Sequence, residues 1–388
     1  MKKILIFFYC LLFISIQMST VFAAESEPET SAPSVLLMDA ETGTILYAKD
    51  ETTERPLASV TKVMTLLLIF ESIDAGQISL DDSVTVSEHA ASMGGSQVYL
   101  ETGETQTVET LIKCIVIASA NDASVAMAEF ISGSEEAFVG QMNKKAEDLD
   151  MEHTHFVNAC GLDADGHYSC ALDIALMSRE LTVNHPEIFD YTSIWMEDIT
   201  HYTAKGDTVF TLSSTNKLLK QYEYATGLKT GSTSQAKFCL AATATKDGVN
   251  LIAAIMAAED SASRIADAIR LFEWGFASCR VLTDENTDTL ADIPVTGGTD
   301  KSLAIQYSGT FRYLDTTGSP EELTKTLSLP ETLEAPIAEG ETVGKAVYTL
   351  DDRNIGEIEI VAAESIPTLT LRDAATQIFH LLFLSQRE

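Results

Sequence analysis

The chain has 388 residues, 25 Lys+Arg against 58 Asp+Glu, a net charge of −33 and a pI near 4.4. At 45% hydrophobic and 21% charged it has a globular composition, long enough for one large core and a smaller satellite domain. The charge excludes nucleic acid, whose phosphates need clustered Lys and Arg, and any acidic partner held by charge alone.

The elements follow in chain order. Lys2 and Lys3 precede the apolar run Ile4–Ile14, and Val21-Phe22-Ala23 follows, the pattern of a secretory signal cleaved after about Ala23. The run is short for an uncleaved membrane span. Its removal takes two lysines and no acid, so the charge goes from −33 to −35, and the mature protein is expected to work outside the cytoplasm. Ser34–Asp39 and Thr44–Ala48 flank Glu41-Thr42-Gly43 as a hairpin. Ser59–Phe70 reads as a helix buried on most sides. Thr107–Ala118 and Ala123–Ile131 are helical, broken at Ser119-Ala120-Asn121. Phe238–Ala242 and Asn250–Ala257 form a second hairpin around Lys246-Asp247-Gly248, and Ser263–Phe276 is an amphipathic helix. Residues 281–300 turn polar and read as a linker; 301–365 alternate in short runs, an all-β satellite. Leu371–Leu384 would be roughly 21 Å of helix, too short for a bilayer core of about 30 Å. Its apolar residues allow interfacial insertion or docking on the protein, and both stay open.

Beyond Cys10 in the leader, five cysteines remain: Cys114, Cys160, Cys170, Cys239 and Cys279. An odd number at irregular spacing is no disulfide framework. Cys114 and Cys239 read as small buried hydrophobes, and pairing of Cys160 with Cys170 is left open. His153, His155, Cys160, His167 and Cys170 fit no standard zinc spacing, so no metal or other cofactor is expected.

Chemistry begins at Ser59-Val60-Thr61-Lys62. Residues three apart in a helix stack, so Lys62 Nζ can reach Ser59 Oγ. A serine hydroxyl needs an adjacent base, and lysine becomes one when burial or a second cation lowers its pKa. Ser214–Lys217 and Ser234–Lys237 share the Ser-x-x-Lys pattern, so context must choose. Ser119-Ala120-Asn121, at a helix break, offers a relay hydroxyl and an amide, although Ser214-Thr215-Asn216 also matches Ser-x-Asn. Lys229-Thr230-Gly231 occurs once, before a strand-rich stretch, and its glycine lets an edge strand approach the nucleophile or a ligand closely.

Ser-x-x-Lys, Ser-x-Asn and Lys-Thr-Gly in this order resemble the low-molecular-mass penicillin-binding proteins, the serine-type D-alanyl-D-alanine carboxypeptidases. The resemblance extends to Pro56–Thr65, Met93-Gly94-Gly95-Ser96, Ser119–Asp122, Phe156-Val157-Asn158 with Gly161-Leu162, His167-Tyr168-Ser169, Gly227–Thr233 and Trp274-Gly275-Phe276. It implies an α+β, penicillin-binding/β-lactamase-like fold: an antiparallel sheet flanked by helices plus a helical lobe, with a small C-terminal all-β domain. The implied boundaries are 1–23 (signal), 24–280 (catalytic), 281–366 (all-β) and 367–388 (amphipathic helix, membrane-associated in such proteins).

By the same resemblance Ser59 is the acylated nucleophile, Lys62 its general base and Ser119 a proton relay. Asn121 positions the substrate amide or Lys62, Lys229 adds charge that keeps Lys62 neutral, and Thr230 binds the substrate carboxylate. The N–H groups of Ser59 and Ser232 form the oxyanion hole, and Arg264 helps hold the carboxylate. The implied partners are peptidoglycan stem peptides, with β-lactams as covalent inhibitors. Three departures stand out. Ser232 replaces a frequent His, Ala120 replaces the Asp of β-lactamases, and no Glu-x-x-Leu-Asn motif supplies a deacylating glutamate, so efficient β-lactam hydrolysis is not expected. A D,D-endopeptidase and a silent peptidoglycan-binding protein are the alternatives; the intact motifs argue against the second.

Overall fold

The computed structural model describes residues 27–203, 205–318 and 322–375. The leader and most of 371–384 lie outside the described residues. The chain forms two compact units, Ser26–Val281 and a second that takes it from Leu282 onward.

In the first unit β1 (Ser34–Asp39) and β2 (Ile45–Lys49) pair antiparallel. A 3₁₀ turn over Ala58–Thr61 runs into α1 (Lys62–Asp74), buried from Lys62 through Phe70. The near-continuous apolar run is explained by neighbours on several sides: α1 touches α3 (Val108–Ile117), α4 (Asn121–Ser132), α5 (Glu135–Asp148) and α6 (Ala171–Asn184). Between α1 and α3 lie β3 (Ser83–Thr85), α2 (Glu88–Ala91) and β4 (Thr105–Thr107). Side chains fix the helix starts: Thr107 caps α3 and Ser134 caps α5, each accepting a backbone N–H three residues on. The expected break between α3 and α4 is there, with Ser119 in the left-handed region at φ 61°.

After α6 come α7 (Ile188–Thr192), the hairpin β5 (Met196–Thr203) with β6 (Gly206–Ser213), and α8 (Leu218–Gln221). Then β7 (Ala225–Thr233), β8 (Lys237–Lys246) and β9 (Val249–Ala258) lead to α9 (Ser261–Ser278). Asp247 and Gly248 both have positive φ, the requirement of a type I′ hairpin turn between β8 and β9. The main sheet is antiparallel throughout, in the order β2-β1-β9-β8-β7, so β7 is an edge. Leu36, Met38, Ile252 and Ala254 on one face join the core that contains α1 and α6. α9 covers the other face, and Gly275 marks the contact: a Cβ there would meet Leu37 and Leu251 at 2.7 and 2.8 Å. Burial on both faces is why β9 is apolar at almost every position.

The stretch 281–300 is not a linker. It carries β10 (Arg280–Asp284) and β11 (Ile293–Thr296). In β11 Ile293 and Val295 are buried while Pro294 and Thr296 are exposed, the alternation of a one-sided strand. The second unit continues with β12 (Ser302–Leu303), β13 (Ile305–Tyr307), β14 (Phe311–Asp315), β15 (Thr324–Ser328), β16 (Leu333–Glu334), β17 (Thr342–Leu350) and β18 (Arg353–Ala362). Two sheets, β12-β11-β16 and β13-β18-β17-β15, enclose a core that includes Leu303, Phe311, Tyr348 and Ile360. The Phe311 and Tyr348 rings stack with centroids 3.7 Å apart. Among the described residues no helix is long and apolar enough to cross a membrane.

Candidate active site

Ser59 sits in the 3₁₀ turn and Lys62 opens α1, so the side chains meet across one turn: Lys62 Nζ lies 3.0 Å from Ser59 Oγ. Lys62 is 0% exposed. Its Nζ also donates to Asn121 Oδ1 at 2.7 Å and to the Cys160 carbonyl at 2.6 Å. Asn121 Nδ2 donates to the Gly94 carbonyl at 2.7 Å, which fixes the amide with its oxygen toward the lysine. Both partners can only accept. In the neutral amine they take its two N–H bonds, and the lone pair is left facing the Ser59 hydroxyl.

Two loops build this cage. Gly95 has φ 82°, and a Cβ there would meet Asn121 Nδ2 at 2.8 Å, so Gly94-Gly95 lets the backbone close over the amide. Asn158 Oδ1 accepts the N–H groups of Cys160, Gly161 and Leu162, a local turn that helps aim the Cys160 carbonyl at Lys62. Gly161, at φ 87°, packs against the nucleophile's backbone: a Cβ would stand 2.0 Å from the Ala58 carbonyl oxygen. Asp122, fully buried, accepts the N–H groups of Val98 and Leu100 and so ties that segment to the start of α4. The Ser119 hydroxyl makes no hydrogen bond among the described residues.

The third wall is β7. A Cβ on Gly231 would meet Leu57 O, Val60 N and Ser59 N at 2.8–3.0 Å, so only glycine permits this edge strand to lie against the nucleophile's turn. Lys229 is 1% exposed, and its Nζ donates to the Thr230 carbonyl at 3.3 Å. Thr230 Oγ1 is 2.8 Å from Thr215 Oγ1, and Ser232 is exposed. Arg264 on α9 is 6% exposed; its Nη1 donates to the carbonyls of Gly231 (2.9 Å) and Cys239 (3.0 Å). It buttresses the back of the Lys-Thr-Gly strand rather than standing in solvent.

Three cations therefore gather in a protein of charge −33. Burial pushes the Lys62 amine down to about 8, against the pull of Cys160 and Asp122. Lys229 is driven well below the lysine range, by burial first and then by the charges of Lys62 and Arg264. Burial, ahead of any neighbouring cation, is thus what makes Lys62 a candidate base.

The competing motifs lack this machinery. The Ser214 hydroxyl accepts the Asn216 N–H and Lys217 is exposed; Lys237 pairs with Glu259. Cys160 and Cys170 are buried thiols that do not pair with each other. Sequence reasoning assigned no task to the Gly94 and Cys160 carbonyls or to Thr215. Backbone carbonyls leave no side-chain signal, and only the glycines at 95 and 161 hinted at close approach.

Comparison with known proteins agrees with this geometry. Residues 21–260 match the family profile described as D-alanyl-D-alanine carboxypeptidase, and residues 282–368 match that of the penicillin-binding protein 5 C-terminal domain. The chain is 40% identical over 344 residues to the D-alanyl-D-alanine carboxypeptidase DacF of Bacillus subtilis, covering 88% of this chain and 87% of that one. It is 31% identical over 348 residues to DacA of Escherichia coli K12, covering 88% and 85%. Penicillin-binding protein 5 from Haemophilus influenzae superposes with a TM-score of 0.70 at 29% identity, over 88% of this chain and 99% of that structure. The α+β fold with a C-terminal all-β unit is shared with these structures, and the chain belongs to the D-alanyl-D-alanine carboxypeptidase family of low-molecular-mass penicillin-binding proteins.

Proposed function

We propose that this chain removes the terminal D-Ala from peptidoglycan stem peptides ending in D-Ala-D-Ala, through an acyl-serine intermediate. The observation that carries the reading is the caged Lys62, whose two fixed acceptors leave its lone pair for Ser59. Neutral Lys62 takes the Ser59 proton as Oγ attacks the carbonyl of the penultimate D-Ala. The N–H groups of Ser59 and Ser232 receive the developing oxyanion. Ser119 passes the proton to the departing D-Ala nitrogen, the peptide C–N bond breaks, and the ester on Ser59 remains. Water, deprotonated by Lys62, then hydrolyses the ester and restores the serine.

Lys229, Thr230 and Arg264 recognise the substrate's terminal carboxylate. Its negative charge favours the charged form of Lys229, whose ammonium in turn favours a neutral Lys62 during attack. A β-lactam carries a carboxylate and a strained amide into the same place and acylates Ser59 covalently. The chain carries no glutamate in a deacylating motif, so that adduct is long-lived. Residues 1–23 serve as the export signal, 24–280 and 281–366 as the catalytic and all-β domains, and the enzyme faces the cell wall, with 367–388 as a peripheral membrane contact. Incubating the protein with a D-Ala-D-Ala peptide and quantifying D-Ala tests the reading. Release that stops when penicillin is added supports it; absence of release with an intact fold defeats it.

A further inference from the structure

His167, from the His167-Tyr168-Ser169 run, is 5% exposed and has no part in the mechanism above. Its Nδ1 accepts the Val157 N–H at 2.9 Å, which places the ring proton on Nε2. That Nε2–H faces Thr61 Oγ1 at 2.8 Å, and the Thr61 hydroxyl donates onward to the Ala58 carbonyl at 2.8 Å. The chain thus ends on the peptide unit whose N–H belongs to the nucleophile, Ser59.

Ala58 needs such support. It has φ 49°, a left-handed conformation that costs a non-glycine residue free energy and persists only where the surroundings impose it. Gly161, from the same loop as His167, lies so close to the same carbonyl oxygen that a Cβ there would stand 2.0 Å from it. In a planar trans peptide the C=O and N–H point in opposite directions, so fixing the oxygen fixes the Ser59 N–H. At the first turn of a helix that N–H is an orphan donor, available to a ligand.

We propose that His167 is a positioning residue for catalysis: through Thr61 it locks the Ala58–Ser59 peptide so that the Ser59 N–H is aimed at the substrate's oxyanion. The proposal rests on the oxyanion-hole reading of that N–H. The neutral ring the relay requires is maintained by burial, which pushes the imidazole down to about 4; neighbouring His155 acts in the same direction and Asp163 against it. Phe156, packed edge-on against the ring, carries no charge.

The test uses Thr61→Val, Thr61→Ser, His167→Phe and the Thr61→Val/His167→Phe pair in the full chain, with melting curves to confirm folding. Two quantities are read: the acylation rate at saturating β-lactam, and the infrared stretch of a ¹³C-labelled ester carbonyl in the Ser59 adduct. Thr61→Val and His167→Phe are each expected to slow acylation by about tenfold or more, short of the roughly 10²–10³ for deleting an oxyanion donor. Both raise the carbonyl wavenumber, Thr61→Ser restores both readouts, and the double variant is no worse than Thr61→Val. If Thr61→Val does not fold, His167→Phe carries the same comparison. Wild-type rate and stretch in folded Thr61→Val and His167→Phe, or a Thr61→Ser as impaired as Thr61→Val, overturns the relay. A wild-type carbonyl stretch no lower than in the unfolded acyl-enzyme overturns instead the oxyanion reading beneath it.

Discussion

The two units differ in how much charge they bury. In the first, Lys62, Lys229, Arg264, Asp122 and Asp267 are all buried, and their partners are largely backbone groups. In the second, a single charged side chain among the described residues, Asp315, is buried, and the ion pairs lie nearer solvent: Lys325 with Asp284 and Asp288, Lys345 with Glu357. Burying a charge costs free energy, and a fold retains one where it does something that packing cannot. The first unit accepts that cost where β7, the 3₁₀ turn and the start of α4 converge; the second has the economy of a structural module.

The sharpest way to break this contrast is Ser59→Ala. We expect it to abolish D-Ala release and covalent β-lactam labelling while the melting temperature stays within a degree or two, because Ser59 makes no core contact that the alanine loses. Residual labelling would move the chemistry elsewhere in the first unit.

Lys62 comes next. Lys62→Arg should be almost inactive in stopped-flow acylation, since a guanidinium is no base at working pH. Wild-type acylation should rise with pH and level off above about 8, where the buried amine has lost its proton. The stability consequence has a definite sign. The folded pKa lies below the ordinary lysine value of 10.5, so the charged amine penalises the fold at all pH values below about 8, and the penalty fades as pH rises from about 8 to 10.5. Lys62→Met should therefore be dead, and its stability should lack the rise between about pH 8 and 10.5 that denaturant titrations show for the wild type. An equal rise in the variant would contradict the view that the first unit bears a cost for its lysine.

Arg264→Ala should lower kcat/KM for a D-Ala-D-Ala peptide about ten- to a hundredfold, the loss of one charge-assisted interaction of about 1.5–3 kcal/mol. A depsipeptide lacking the terminal carboxylate should suffer much less. Equal losses would reduce Arg264 to its bonds with Gly231 and Cys239.

The smallest expected effect on chemistry comes from the second unit. Tyr348→Ala removes a ring stacked on Phe311 and an O–H bonded to Asn286, and should destabilise that unit by about 3–5 kcal/mol. The acylation rate, measured on folded protein, should not change.

Much of this was legible in the sequence. The helix break at Ser119, the hairpin turn at Asp247-Gly248 and the Ser59–Lys62 stacking follow from periodicity and turn chemistry. What stayed hidden was built from main chain. The Cys160 carbonyl caging Lys62 depends on how a loop about a hundred residues away folds back onto α1, and no residue type announces that. The bonds from Arg264 Nη1 to the Gly231 and Cys239 carbonyls are of the same kind, set by the packing of α9 on the sheet and without a side-chain signal in the sequence. The 281–300 stretch reads as a linker because Asp284-Glu285-Asn286 and Gly297-Gly298 flank β11 and outweigh its two buried residues, Ile293 and Val295.

The central claim is that the cage around Lys62 selects Ser59 over the two other serines in Ser-x-x-Lys patterns. Peptide mapping by mass spectrometry after brief exposure to penicillin addresses it most directly. The account predicts a single penicilloyl adduct on Ser59, forming faster as pH rises toward about 8; an adduct on Ser214 or Ser234 would contradict it.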